Sequence, residues 1–239
     1  MNIGDKESAL RSILKKFNSA AVGFSGGADS TALLYELSRL NIKTVAFTVS
    51  SYIFPDSELG LAKETAALLN IPHNIIEYDP LNDIENIGNN PPDRCYICKK
   101  HLFSLIKEKA NAMGIYNIID GSNLDDISDY RPGRKALREL GVISPLEQAG
   151  ITKSDVYAIL KKANLPQQNK KSFACYFSRF PYNIPINKET IINTGNAEES
   201  IRELGITSAR LRNHGDLARL ETDENDMIKC ITDINIRNR

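Results

Sequence analysis

The sequence predicts an α/β fold, with a parallel doubly wound sheet followed by a small C-terminal α+β subdomain that contains a hairpin. Short apolar, β-branched segments alternate with segments of helical periodicity in the first half of the chain, which is the pattern of βαβ units. After about residue 150 this alternation stops, and helical segments lead to a candidate hairpin. We therefore divide the 239 residues into an α/β domain at 1–150 and a C-terminal subdomain at 151–239.

The first domain is expected to contain four strands and three main helices. Apolar and β-branched residues predict strands at 20–24, 43–50, 73–78 and 116–120. Leucine and alanine residues at helical spacing predict helices at 29–40, 56–70 and 99–114. Ligands of such a sheet bind beyond the carboxyl ends of its strands. The candidate walls of a site are therefore the loops at 24–31, 50–56 and 120–131.

The C-terminal subdomain is expected to begin with a helix at 152–165. Thr152 is its predicted N-cap, and Asp155 occupies the capping-box position. A second helix is predicted within 187–205, and two alternating stretches flank His214-Gly215, which we interpret as a two-residue hairpin turn.

The composition is that of an ordinary soluble globular protein, with 41% hydrophobic and 25% charged residues. The 30 basic and 30 acidic residues cancel, whereas nucleic-acid-binding proteins usually carry a basic excess. No apolar run approaches a membrane span, and the N-terminal segment is charged and amphipathic, unlike a signal peptide. We expect a cytoplasmic protein without nucleic-acid or membrane partners, assembled as a homo-oligomer (a dimer or a multiple of dimers).

The segment "SGGADS" at 25–30 follows the first strand and opens the first predicted helix. Backbone N–H groups of a Gly-Gly turn at a helix start form an anion-binding nest, and Ser25 and Ser30 can add hydroxyl donors. The spacing and the lysine of a Walker loop are missing. The loop therefore suits a pyrophosphate group during chemistry at the α-phosphate, with Asp29 holding Mg²⁺. The alternative is a simple glycine-rich turn.

This motif resembles the signature of the ATP pyrophosphatase (PP-loop) superfamily. The resemblance implies cleavage of ATP to AMP and pyrophosphate, with adenylation of a substrate oxygen. It also explains the missing lysine, because the γ-phosphoryl group is not the one attacked.

The four cysteines are expected to be reduced thiols in a cytoplasmic chain. Cys95 and Cys98 form a C-x-x-C pair, which on its own fits half of a zinc site, a redox pair or coincidence. Cys175 joins them only if the chain after Pro145 returns towards the nucleotide site. Cys230 is expected to be a buried small hydrophobic residue.

Four motifs together resemble the ATP-dependent sulfur transferases that mature the nickel-pincer cofactor of lactate racemase. They are "NPPDRCYICK", "GSNLDDISDYRPGRKAL", "ACYFSRFPY" and "RLRNHGDLARLE", and the resemblance runs from about residue 18 to 222. In one branch of this family, a cysteine at the position of Cys175 gives up its own sulfur and becomes dehydroalanine. In the other branch, three cysteines hold a [4Fe–4S] cluster. Because Cys95 and Cys98 accompany Cys175, the chain resembles the cluster branch.

The loops and the resemblance together define the expected sites. The residues expected to contact ATP or its Mg²⁺ are Phe24, Ser25, Gly26, Gly27, Asp29, Ser30, Ser51, Gly121, Asn123, Asp125 and Asp126. The metal ligands implied are Cys95, Cys98 and Cys175. Catalysis is assigned to Cys175, Asp29 and Arg179, the last because it would stabilise a developing anion next to the sulfur site.

The hairpin is expected to carry an arginine-rich face. A two-residue turn at His214-Gly215 would pair Arg210 with Arg219 and Leu211 with Ala218. Arg210, Arg212, Arg219 and Glu221 would then share one face. Clustered guanidinium groups suit a phosphate, and the resemblance assigns the substrate to Ser178, Arg179, Arg210, Arg212 and Glu221. The alternative is a solvated charged face on which Glu221 neutralises an arginine.

The expected reaction adenylates a carboxylate of a pyridinium-3,5-dicarboxylate mononucleotide and replaces AMP with sulfur from sulfide or another donor, using ATP, Mg²⁺ and a [4Fe–4S] cluster. The alternatives are a sacrificial Cys175, a cluster-dependent tRNA thiolase and a non-catalytic adenine-nucleotide-binding module with structural zinc. Two departures from the family pattern concern the substrate pocket: Asn183 replaces a usual glycine, and Tyr176 and Phe177 are bulkier than expected.

Overall fold

The computed structural model describes residues 2–127, 132–170 and 173–238, so part of the 121–137 motif lies outside the described residues. The chain divides into two compact units. The first unit comprises Met1–Ser50, Asp56–Tyr78 and Asp93–Phe173, and the second comprises Ser51–Pro55, Asp79–Pro92 and Ala174–Arg239. The functional division predicted at residue 150 stays a prediction.

Eleven α-helices and six strands are present in the described residues. The helices are α1 Ile3–Leu14, α2 Ala28–Ser38, α3 Asp56–Leu68, α4 Pro80–Asp83, α5 Arg94–Ala112, α6 Gly133–Glu139, α7 Pro145–Gln148, α8 Lys153–Lys162, α9 Lys188–Glu203, α10 Glu224–Thr232 and α11 Ile234–Arg237. The strands are β1 Ser19–Gly23, β2 Lys43–Ser50, β3 His73–Glu77, β4 Ile118–Ile119, β5 Arg210–Asn213 and β6 Ala218–Glu221. No helix in these described ranges is long and apolar enough to cross a membrane.

The first unit is built on a parallel four-stranded sheet with the order β3-β2-β1-β4. Alternate residues of β1 enter two separate cores. Val22 packs in a core that includes Leu33 of α2, whereas Ala21 packs in a core with Phe103 and Ile106 of α5. Helices therefore cover both faces, and the predicted α/β fold is confirmed. The strand order reverses between β1 and β4, which places a crevice for ligands beyond their carboxyl ends.

Helix α5 begins earlier than the periodicity predicts. Its first residue is Arg94 rather than residue 99, because the chain turns into the helix directly after Pro91-Pro92-Asp93. Cys95 and Cys98 therefore lie in the opening turns of a helix, three residues apart and on one face, and not in a loop.

The second unit contains the β5–β6 hairpin, and its predicted register is wrong. Arg212 pairs with Arg219 and Arg210 with Glu221, because the turn contains four residues and His214 N–H donates to the carbonyl of Leu217. The error shifts the pairing by two residues, so the side chains keep their faces.

Two details of this unit bear on the departures from the family pattern. Asn183 has φ +60°, a left-handed conformation that asparagine tolerates better than most residues with a Cβ. Tyr176 and Phe177 are both buried. Cys230 is partly exposed in α10, so its predicted burial is wrong, because this helix buries Asp226 and leaves the face with Cys230 partly open to solvent.

Candidate nucleotide and sulfur-transfer sites

The phosphate loop follows β1 and is held by its own serines. Ser25 N–H donates to Ser30 Oγ at 3.3 Å, the two hydroxyl groups are 3.2 Å apart, and Gly27 N–H donates to Ser25 Oγ at 3.3 Å. Gly27 is the N-cap of α2 and has no side chain to cap it, so the first-turn N–H groups of α2 are open to an anion.

Glycine is required at Gly26. Its φ is +68°, and a Cβ there would lie 3.1–3.2 Å from atoms of Ala62 in α3. The loop therefore passes close to α3 in a conformation that residues with a Cβ resist.

The loop that follows β4 approaches the phosphate loop closely. A Cβ on Gly121 would lie 2.7 Å from the backbone nitrogen of Ser30. Asn123 Nδ2 donates to Asp29 Oδ1 at 2.9 Å, and Asp126 Oδ2 accepts from Asn123 N–H at 3.1 Å. The structure thus brings together most of the predicted nucleotide residues at one edge of the sheet.

Two lysines that the sequence analysis missed also reach this edge. Lys153 Nζ lies 2.5 Å from Asp29 Oδ2. Lys170 Nζ donates to the carbonyl of Gly26 at 3.3 Å and to Glu58 Oε2 at 2.8 Å. Cationic charge is therefore present at a loop that carries no lysine of its own. No local motif marks either lysine. The one available signal is the capping box at Thr152, which places Lys153 at the first position of α8.

Phe24 and Ser51 differ from the other predicted nucleotide residues in their surroundings. Phe24 is buried, and its carbonyl accepts from Thr48 Oγ1 at 2.6 Å. His73 Nε2 lies 2.7 Å from the same hydroxyl, and burial lowers the pKa of this histidine. Ser51 belongs to the second unit, and its buried Oγ has no hydrogen-bond partner in the part of the chain that the structure describes.

The cysteines are divided between the units. Cys95 and Cys98 open α5 in the first unit, and Cys175 precedes a short 3₁₀ helix at Tyr176–Arg179 in the second. None of the three thiols is fully buried. Within the described ranges, no three His, Cys, Asp or Glu side chains form a group that could hold a metal ion. The donor chemistry nevertheless fits an iron–sulfur cluster, since thiolates are its preferred ligands.

In the second unit, Arg179 is buried and its guanidinium faces Glu198. Its Nε lies 2.5 Å from Glu198 Oε1, and its Nη1 donates to Ser178 Oγ at 2.8 Å. Glu198, which is fully buried and which the sequence analysis missed, also accepts from Arg202 at 2.8 Å and from Leu211 N–H at 2.8 Å. No periodic or motif signal distinguishes Glu198 from its neighbours. The predicted contact between Arg179 and a developing anion stays a prediction.

Glu221 links the arginines on the hairpin. Its carboxylate accepts from Arg212 Nε at 2.8 Å and from Arg219 Nη2 at 2.7 Å. The hydrogen bond from Arg212, reinforced by the one from Arg219, holds the pKa of Glu221 below its ordinary value. Arg212 Nη1 also donates to the carbonyl of Ser178 at 2.5 Å, so the hairpin is tied to the segment that follows Cys175. Arg210 is exposed.

Known proteins resemble the chain along most of its length, although no family model matches it. It is 35% identical over 230 residues to the pyridinium-3,5-bisthiocarboxylic acid mononucleotide synthase of Lactiplantibacillus plantarum, covering 93% of this chain and 81% of the relative. It is 34% identical over 230 residues to an uncharacterised protein of Synechocystis, covering 95% and 85% respectively. The U34-tRNA thiolase of Methanococcus maripaludis, solved with its [4Fe–4S] cluster, shares the fold, with a TM-score of 0.55, 20% identity and coverage of 83% and 74%.

The geometry of the phosphate loop and of the facing loop after β4 indicates the same fold and activity as the relatives that match most of the chain. The chain is an ATP-using enzyme of the PP-loop fold, and it belongs to the family of ATP-dependent sulfur transferases that includes pyridinium-3,5-bisthiocarboxylic acid mononucleotide synthase.

Proposed function

We propose that this enzyme converts a pyridinium-3,5-dicarboxylate mononucleotide into a thiocarboxylate at the expense of ATP. The observation that carries the proposal is the 35% identity to a named synthase along 93% of the chain. A substrate carboxylate attacks the α-phosphorus of ATP, the bond to the β-phosphate breaks, and pyrophosphate leaves. Sulfide then attacks the acyl carbon, and AMP departs with the electron pair of the carbon–oxygen bond.

The first unit supplies the ATP site in this proposal. The N–H groups at the start of α2, with Ser25 and Ser30, would hold the pyrophosphate half of ATP. Asp29 would coordinate Mg²⁺ on the phosphates, and Asn123 orients its carboxylate through the 2.9 Å hydrogen bond. Preorganised donors of this kind stabilise the negative charge that develops on the leaving pyrophosphate.

The second unit supplies the acceptor site. Arg210 lies exposed on β5 with Arg212 two residues later on the same face. A nucleotide phosphate fits such guanidinium groups because they bind it at two points. Glu221 fixes Arg212 in place through its 2.8 Å contact, and the Ser178 hydroxyl donates to the carbonyl of Cys175 at 2.8 Å.

The sulfur source is proposed to be a [4Fe–4S] cluster held by Cys95, Cys98 and Cys175. When bound by three thiolates, such a cluster supplies an iron with an open position for sulfide. Two features support this assignment: Cys95 and Cys98 share one helix face, and a thiolase of the same fold carries a [4Fe–4S] cluster. The competing source is Cys175 itself, consumed once per chain.

Formation of pyrophosphate and AMP with the dicarboxylate mononucleotide tests the reaction. Anaerobic enzyme with Mg²⁺, ATP and sulfide should release pyrophosphate only when this acceptor is present, and the product should contain a thiocarboxylate by mass spectrometry. Pyrophosphate released equally without the acceptor, or ATP bound without turnover, would contradict the proposal.

The iron and acid-labile sulfide content of anaerobically purified protein tests the sulfur source. We expect about four irons per chain, lost in Cys175→Ala and retained in Cys230→Ala, the matched control. Iron-free protein whose mass falls by the elements of hydrogen sulfide after turnover would replace the cluster with a sacrificial Cys175.

A further inference from the structure

Asp29, the residue proposed to hold Mg²⁺, already has a cationic partner. Lys153 Nζ lies 2.5 Å from Asp29 Oδ2, and the two side chains are 30% and 28% exposed. The other carboxylate oxygen of Asp29 accepts from Asn123. Mg²⁺ at Asp29 would therefore compete with the ammonium group, because two cations beside one carboxylate repel each other.

The backbone of Lys153 is fixed, whereas its side chain can move. Thr152 and Asp155 form a capping box that fixes the start of α8, and Lys153 N–H donates to Asp125 Oδ2 at 2.8 Å. The base of the side chain is thereby anchored to the loop that faces the phosphate site. A lysine carries its charge on a flexible four-carbon stem, and an ion pair this exposed is weak. The ammonium group can therefore be redirected from this anchored position.

We propose that Lys153 is an exchangeable counter-ion that supplies the cationic charge missing from the phosphate loop. Without nucleotide, Lys153 neutralises Asp29. When Mg²⁺–ATP binds, Mg²⁺ takes the Asp29 carboxylate and the ammonium group moves onto a phosphate oxygen of the pyrophosphate half. This inference rests on the proposed function, because only α-phosphate chemistry leaves that half as the departing group.

Lys170 is less suited to this exchange. Its ammonium group donates both to the Gly26 carbonyl and to Glu58, and its side chain is only 16% exposed. It therefore ties the loop to α3, and its removal would disturb the loop itself. The ammonium group of Lys153 contacts the Asp29 carboxylate and lies 5.2 Å from the centre of the Tyr157 ring. Neither contact involves the loop backbone, so redirection of Lys153 leaves that backbone intact.

Binding of inorganic pyrophosphate without Mg²⁺, measured by calorimetry in EDTA, tests the exchange apart from catalysis. In the parent, the ammonium group of Lys153 is paired with Asp29, so pyrophosphate should bind weakly. Asp29→Asn frees Lys153, and we expect about tenfold tighter binding from one charge-assisted contact. The double variant Asp29→Asn with Lys153→Met should lose that gain. A double variant that keeps the gain would overturn the proposal, because repulsion by Asp29 alone would then explain it.

Steady-state release of pyrophosphate gives a second test. Lys153→Met should lower kcat at saturating Mg²⁺–ATP by about tenfold or more, and Lys153→Arg should recover part of the loss. The control is Lys162→Met in the same helix, whose lysine is 65% exposed and contacts Glu7. An unchanged kcat in Lys153→Met would refute the exchange while leaving the proposed function standing. A parent that releases no pyrophosphate would refute the proposed function instead, and the calorimetric test would still decide whether Lys153 binds pyrophosphate.

Discussion

The guanidinium of Arg179 and the carboxylate of Glu198 form a two-point ion pair, with Nε–Oε1 at 2.5 Å and Nη2–Oε2 at 3.0 Å, and both side chains are at most 1% exposed. Glu198 lies in α9, and it also accepts from Leu211 N–H at the start of the hairpin. One carboxylate therefore connects the segment after Cys175, helix α9 and strand β5. Since a buried charge is tolerated only with a partner, this pair holds the proposed acceptor site in shape.

Removal of Glu198 should destabilise the protein strongly. Glu198→Ala leaves the Arg179 charge buried without its carboxylate, and we expect a loss of about 3–5 kcal/mol in the free energy of unfolding, measured with urea. The matched control is Glu199→Ala, since Glu199 is 48% exposed and contacts only Arg202 among the described ion pairs; its cost should stay within about 0.5 kcal/mol. Equal losses in the two variants would show that the ion pair does not hold this unit together.

A methyl group added at Gly195 should clash with Tyr176. Gly195 lies inside α9, and a Cβ there would lie 2.7 Å from the ring carbon Cε2 of the buried Tyr176. Gly195→Ala should therefore cost about 1–3 kcal/mol by overpacking, although alanine is the better helix former by about 1 kcal/mol. The bulky aromatic residue at 176 and the glycine at 195 thus form one compensating pair.

Gly60 provides the control for that substitution. It lies in α3, and an added Cβ would meet no atom of the described residues within 4 Å. Gly60→Ala should raise the melting temperature, with a gain of about 0.5–1 kcal/mol. If Gly195→Ala gained stability as Gly60→Ala does, the proposed close packing of Tyr176 against Gly195 would be contradicted.

The contact between α10 and the segment before the hairpin should weaken in acid. Asp226 accepts from Lys229 at 2.7 Å, from Ser208 N–H at 2.9 Å and from Ser208 Oγ at 2.8 Å. The hydrogen bond from Lys229, followed by those from Ser208, lowers the pKa of Asp226 below its ordinary value of 3.8. A lowered pKa means that the stabilisation is fully present above about pH 4 and is lost as pH falls further. Because Asp226→Asn lacks this titration, its stability difference from the parent should shrink between pH 6 and pH 3. A difference that stays constant over this range would contradict the assignment.

Local features of the sequence predict much of the first unit. The predicted strand at 43–50 and the capping box at Thr152 are confirmed residue for residue, because both depend on neighbours within a few positions. The faces of the hairpin are also confirmed, since they depend on the parity of the register. The register itself is not, because the length of the turn is set by how the chain closes on itself.

The charged contacts of the site could not be predicted in this way. Lys153 and Asp29 are 124 residues apart, and nothing in the residues around either one indicates the other. Glu198 has the same property: it lies in a helix with other glutamates nearby, and only tertiary packing distinguishes the buried one. Local sequence motifs thus predict which loops form the nucleotide site, whereas the partners that neutralise the charges of these loops depend on the fold.

The approach of Gly121 to α2 should be essential for the binding of ATP. An added Cβ would lie 2.7 Å from the backbone nitrogen and 2.9 Å from the Cα of Ser30, and neither atom can rotate away. Gly121→Ala should therefore push the loop after β4 away from the phosphate loop and lengthen the contact between Asn123 and Asp29. We expect the KM for Mg²⁺–ATP in pyrophosphate release to rise by about tenfold or more, which corresponds to about 1.4 kcal/mol of lost binding.

Two comparisons separate this effect from general destabilisation. Gly60→Ala adds the same methyl group in open space and should leave the KM unchanged. Asn123→Ala keeps the glycine but removes the hydrogen bond to Asp29, so its KM should rise in the same direction as that of Gly121→Ala. If Gly121→Ala bound ATP as the parent does while Asn123→Ala did not, the close packing of the two loops would be unnecessary, and the amide of Asn123 alone would orient Asp29.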